Sequence, residues 1–216
     1  AHIDGGWSTL GEFAAVNHKV IQEVLGGSFI APEVLALHLK PLLQDTKVYA
    51  VLVNHDAWLD SKRVQKALED AGIAVLEDRA IALSKNACRF WLVGLSDYTE
   101  GKLEYQKAFA MVPSGSPVLA FTHNPDVFPE IKNPYSLMIA GHTHGGQVVL
   151  PFLGRAVVPS QYGQRYAIGH IEENNRHLFV TPGIGTSILP VRFGVPPEIS
   201  YLRLHAAPQK AQSLVQ

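Results

Sequence analysis

Three short apolar runs, each ending in side chains of the metal-ligand type, constrain this chain more than any other feature. Val48–Val53 runs into Asn54-His55-Asp56, Val118–Phe121 into Thr122-His123-Asn124-Pro125-Asp126, and Leu137–Ala140 into Gly141-His142-Thr143-His144-Gly145-Gly146-Gln147. Runs of four to six residues rich in Val, Ile and Leu read as buried strands. In layered α/β proteins the carboxyl edge of such strands is where sites assemble. One polar turn with a histidine is ordinary strand capping; three on converging strand ends point to a shared site. His142 and His144 are two residues apart, so an extended backbone would send both imidazoles to the same side. Imidazole is the commonest neutral ligand for transition metals. Asn54 offers a neutral oxygen, and His55 can donate a proton or hydrogen bond to a phosphoryl oxygen.

Around these runs the chain alternates helix and strand, then turns to strands. Apolar spacing predicts helices over Thr9–Leu25, Pro32–Leu43, Ser61–Ala71 and Leu103–Met111. Further strands are expected at Ile73–Leu76, Ala80–Leu83, Phe90–Gly94, Gln147–Leu150, Leu178–Thr181 and Ile199–Leu204. The pattern predicts packed sheets with outer helices. With no internal repeat or linker, residues 1–216 are expected to form one domain.

Charge excludes some functions. The net charge is −1, so no whole-chain field attracts nucleic acid or an acidic membrane, which leaves only a local basic patch open. No run of 18 apolar residues supplies a membrane-spanning helix. The single cysteine, Cys88, cannot close an internal disulfide, and this leaves the compartment open. The opening Ala1-His2-Ile3-Asp4 carries no leader pattern: the chain either has no signal or anchor, or starts downstream of one.

Taken in order, the three motifs resemble those of the calcineurin-like metallophosphoesterases. Leu150-Pro151, Tyr162-Gly163, Pro182 to Ser187, Pro190, Arg192-Phe193 and Pro197-Glu198-Ile199 are similar to the bacterial YkuE-like subgroup, so the resemblance runs from about Pro32 to His205. It implies a four-layer α/β/β/α sandwich with one or two divalent metal ions between the sheets. A metal-activated hydroxide would then cleave a phosphoester or pyrophosphate bond, with two metals about 3.5–4 Å apart holding both oxygens of the displacement. By the same resemblance, Asn54, His123 and His142 match ligands of one metal and His144 a ligand of the other. His55 matches the non-ligand histidine that stabilises the transition state or protonates the leaving group, with Asp56 orienting it. Gly145 and Gly146 would admit substrate closely, and Gln147 and Arg192 would contact it, although Arg192 also suits a structural ion pair. Small phosphoesters, lipid- or nucleotide-linked, are the implied substrates. Apolar residues at Phe152-Leu153 and Ile188-Leu189 could flank an acyl chain; core packing is the simpler account.

The N-terminal third departs from that pattern. The family's first strand ends in Asp-x-His, whereas this chain has His2-Ile3-Asp4, the same ligand types reversed. Glycine occupies Gly26-Gly27, where the family places the carboxylate that bridges both metals. Two dications held by neutral imidazoles would repel with little compensating charge. The departures therefore leave a second expectation: a catalytically impaired protein of the same fold with a single metal. A metallo-β-lactamase-like zinc fold would need a dense His-x-His-x-Asp-His cluster early in the chain, which is absent.

Overall fold

A computed structural model describes residues 31–85, 88–98, 104–186 and 190–205. His2, Asp4, the helix expected over Thr9–Leu25, the Gly26-Gly27 position and Ile188-Leu189 lie outside the described residues.

Helix α1 (Pro32–Leu39) starts on a proline, whose missing N–H costs nothing in a first turn, and tightens into a 3₁₀ turn over Lys40–Gln44. Strand β1 (Tyr49–Ala50), helix α2 (Asn54–Leu59), helix α3 (Ser61–Asp70) and strand β2 (Ala74–Val75) follow, with β1 and β2 paired in parallel. The Asp60 carboxylate accepts the Arg63 N–H, capping α3, and the Arg63 guanidinium ties α3 to Glu33 on α1. Ala36, Leu52, Val64, Leu68, Ile73 and Val75 form the core of this unit.

The main sheet has six strands in the order β3-β4-β5-β6-β10-β9. They are β3 (Arg79–Lys85), β4 (Cys88–Gly94), β5 (Val118–Phe121), β6 (Leu137–Ala140), β10 (Arg176–Val180) and β9 (Gly169–Glu173). The four central strands are parallel, and β3 and β9 pair antiparallel at the two edges. Period-two alternation loads both faces of β6: Met138 and Ala140 join Val93, Val118, Phe128 and Tyr166, while Leu137 and Ile139 join Leu76, Leu92 and Leu119. Burial on both faces is why these strands read as unbroken apolar runs. Helix α4 (Tyr105–Ala110) packs against β3 and β4. The hairpin β7–β8 (Val149–Leu150 and Gly154–Arg155) stands apart from the main sheet.

The protein is thus mixed α/β, with a central mixed sheet flanked by helices and a second, parallel pair of strands. Two expectations are corrected, and one strand is new. The run Val48–Val53 pairs only at Tyr49–Ala50, because Asn54-His55-Asp56 already forms the first turn of α2. Ile199–Leu204 adds no strand to the main sheet. Strand β9 was not expected: it alternates exposed and half-buried residues at the sheet edge and has no apolar run to mark it.

A histidine cluster at the carboxyl edge of the sheet

Four parallel strands deliver their carboxyl ends to one edge. Past β4 the chain reaches Asp97, past β5 His123, past β6 His142, and past β10 the loop Pro182–Gly185. The hydrogen-bond ladder continues beyond the strands and locks these ends together. Leu95 N–H donates to Phe121 O, Gly141 N–H to His123 O and Thr181 N–H to Ala140 O, each at 2.9 Å. At Gly94, which begins the approach to Asp97, a Cβ would stand 2.2 Å from the Leu76 carbonyl oxygen, so only glycine lets β4 pass there.

Asn54, His123 and His142 meet at this edge. His123 Nε2 lies 3.2 Å from Asn54 Oδ1 and 3.0 Å from His142 Nδ1, with the two rings edge-on. Ligand atoms about 2.1 Å from a common cation stand roughly 3.0–3.4 Å apart, so both spacings suit one metal ion. Among the described residues, however, no three His, Cys, Asp or Glu side chains are grouped to hold a metal. The trio depends on the asparagine oxygen.

Sequence reading missed Asp97. Its buried carboxylate is 4.0 Å from His123 Nε2 and supplies negative charge beside a neutral donor set. It follows the same signature as the recognised motifs, an apolar run (Phe90–Gly94) ending in a ligand-type side chain.

The histidine turn departs from the extended geometry expected of it. His142, His144 and Gln147 have φ of 65°, 52° and 53°, in the left-handed region that favours glycine. On this backbone His142 Nδ1 lies 3.0 Å from His123 Nε2, and the buried His144 places Nδ1 3.2 Å from Gly185 O. Thr143, fully buried, donates to Ala167 O at 2.7 Å and anchors the turn from below. Gly145 and Gly146 are packed against protein. A Cβ at Gly145 would meet Val195 Cγ1 at 2.9 Å, and one at Gly146 would meet Arg155 Cγ at 2.9 Å. Close packing and a positive φ, 62° and 77°, together favour glycine at both.

Arg192 forms no ion pair among the described residues; it clamps backbone. Its guanidinium donates to the carbonyls of Pro182 (2.7 Å), Gly183 (3.1 Å) and Gly185 (2.9 Å), and more distantly to His144 and Val195. Gly185 O therefore receives Arg192 and faces His144 at once. Burial pushes the Arg192 pKa down, yet a guanidinium remains charged.

Asp56 is likewise committed to backbone: its Oδ2 accepts the Val53 N–H at 2.8 Å and fixes the turn carrying Asn54 and His55. Half-buried Glu77, the second residue missed in the sequence, accepts the Leu52 N–H at 2.7 Å. Burial above all, against the pull of the Val53 N–H and with added repulsion from Asp97, raises the Asp56 pKa to about 6. Burial raises Glu77 to about 7, with Asp78, Asp97 and Asp56 adding repulsion. A carboxyl with a raised folded pKa binds more protons folded than unfolded, so stability falls as pH climbs from the ordinary value toward the raised one. In the presence of chelator, Tm should fall between about pH 4.5 and pH 7. Glu77→Gln, which keeps the acceptor for Leu52, should flatten that slope and raise Tm at pH 7.5 by about 3 °C or more. An unchanged profile would contradict the assignment.

Parallel strands β5 and β6 thus bring His123 and His142 together, and Asn54 joins them from the end of β1. The chain is 32% identical over 170 residues to the phosphodiesterase YaeI of Escherichia coli (strain K12), covering 77% of this chain and 61% of YaeI. It is 31% identical over 154 residues to the uncharacterized metallophosphoesterase YkuE of Bacillus subtilis (strain 168), covering 70% of this chain and 54% of YkuE. A third relative, the UDP-2,3-diacylglucosamine pyrophosphatase LpxG of Chlamydia trachomatis, is 28% identical over 120 residues, covering 52% of this chain and 36% of LpxG. The chain belongs to the calcineurin-like metallophosphoesterases. It spans about three fifths of YaeI and about half of YkuE. No family model matches it, and no solved structure matches it significantly.

Proposed function

We propose that this protein hydrolyses a small phosphoester or pyrophosphate bond with a divalent metal ion held by Asn54, His123 and His142. The approach of Asn54 Oδ1 and His142 Nδ1 to His123 Nε2, at 3.2 and 3.0 Å, carries the reading. When bound, the cation supplies Lewis-acid polarisation of a phosphoryl oxygen. His55, one residue beyond Asn54 on the same helical turn, supplies the proton to the leaving oxygen. Asp56 acts as a positioning residue through its grip on the Val53 N–H. Asp97 supplies the nearby negative charge that favours cation binding. His144, with His2 and Asp4 outside the described residues, is assigned to a second cation, and Gln147 to the substrate.

A second reading is a single-metal protein with feeble turnover. It is favoured by the lack of a three-member His, Cys, Asp or Glu group among the described residues. One experiment separates the two: metal content together with Mn²⁺-dependent cleavage of bis-p-nitrophenyl phosphate by the full chain. Hydrolysis predicts turnover that falls about 10²–10⁴-fold in His55→Ala with metal content retained. One bound equivalent and no turnover would leave the binding protein standing.

A further inference from the structure

We propose that His170 and His177, paired across the β9–β10 hairpin, form a further transition-metal site, outside the Asn54, His123 and His142 cluster and suited to Ni²⁺ or Cu²⁺. His170 Nε2 lies 3.0 Å from His177 Nδ1, with the two rings 13° from parallel. The ladder sets this meeting. In the antiparallel register His170 pairs with Phe179 and His177 with Glu172, so the histidines are diagonal neighbours on one face of the ribbon. Glu172, two residues from His170, projects to the same face. Asn174 and Asn175, left-handed with φ of 52° and 59°, close the tight turn that a two-residue hairpin prefers. The ladder runs without a break from Gly169–Val180 to Glu173–Arg176. A fixed frame, not a loop, therefore presents both imidazoles.

A hydrogen bond between the rings does not by itself explain the pair. His170 is exposed, and water there offers its ring nitrogens equivalent partners. What water does not offer is two nitrogens held together. Donors about 2.1 Å from one cation and 3.0 Å apart subtend roughly 90° at it. That is the angle between adjacent positions of a square plane or octahedron, whereas tetrahedral zinc asks for donors about 3.4 Å apart. Cu²⁺ and Ni²⁺ take imidazole in such geometry and stand high in the affinity order, and Mn²⁺ stands lowest. To accept the cation the rings turn about their Cβ–Cγ bonds. The ring whose facing nitrogen carries hydrogen moves that proton to its other nitrogen, so no proton is lost and both facing nitrogens become lone-pair donors. Among the described residues no three His, Cys, Asp or Glu side chains are grouped to hold a metal, so water completes the coordination. Glu172 adds negative charge on the same face. With two protein donors, the pair holds its cation less tightly than the trio.

The inference does not rest on the hydrolase reading, and its test needs no turnover. The full chain is titrated with Ni²⁺ by calorimetry as His123→Ala, and as His123→Ala combined with His170→Asn, His177→Asn or His38→Asn. The last removes an exposed histidine of α1 and is the control. One Ni²⁺ equivalent should persist in His123→Ala and in the control, and weaken at least about tenfold with either hairpin substitution. Mn²⁺ should give no such equivalent. Because a misfolded variant would mimic the loss, Cu²⁺ paramagnetic resonance of His123→Ala alone supplies a second reading: hyperfine coupling to two nitrogens is expected. Retention of the Ni²⁺ equivalent in both hairpin variants, its absence from His123→Ala, an equal loss in the control, or coupling to fewer than two nitrogens overturns the proposal.

Discussion

His123→Ala should empty the candidate metal site and lower Mn²⁺-dependent phosphodiester cleavage by about 10³-fold. The size of the effect follows from where His123 stands. Its Nε2 is the atom shared by the Asn54 contact, the His142 contact and the approach of Asp97. Removing Asn54 or His142 takes away one donor; removing His123 takes away the donor between them. Isothermal titration with Mn²⁺ or Zn²⁺ should show the tight equivalent lost, while far-ultraviolet circular dichroism stays that of the parent. A His123→Ala protein that still retains one tightly held cation would place the metal elsewhere.

Arg192→Ala should lower stability by about 2–4 kcal/mol, or roughly 6–10 °C in Tm. Three carbonyls of the Pro182–Gly185 loop accept from this guanidinium at 2.7 to 3.1 Å. Alanine would strand those acceptors in a half-buried place. Lysine should rescue little, because one ammonium cannot span the fork that the guanidinium covers. The loop is also what His144 faces, so the variant should weaken a second metal equivalent more than the first. Thermal unfolding of Ala and Lys variants beside the parent measures the first effect, and stepwise metal titration the second. A Tm within about 2 °C of the parent would mean the clamp is incidental.

Much of this architecture was legible in the residues, and the reasons differ from element to element. Strand β6 lies at Leu137–Ala140 as expected, because a strand buried on both faces cannot hide its composition. Strand β9, polar on its outer face, left no such trace. The meeting of His123 and His142 was legible because the parallel neighbours β5 and β6 bring their carboxyl ends to one edge, whereas Asn54 reaches them from β1, outside that sheet. Asp97 obeys that same rule but carries no histidine to draw notice, and Glu77 follows a strand of only two residues. The left-handed backbone at His142 and His144 could not be read from spacing, since the i, i+2 rule assumes extended backbone. Arg192 was ambiguous because its partners are carbonyls, and every sequence has those.

His142, His144 and Gln147 hold left-handed backbone without being glycine, at a cost of roughly 1 kcal/mol each. Thermodynamic selection by itself would install glycine or asparagine at such positions. Here two of the three are imidazoles that meet the site, so this turn is where stability and chemistry pull in opposite directions. Substitutions that relax it should appear as gains in any screen for thermal robustness, and the same screen would then discard the histidines. For this chain, the most heat-tolerant variants at the turn are expected to be the least capable of holding metal.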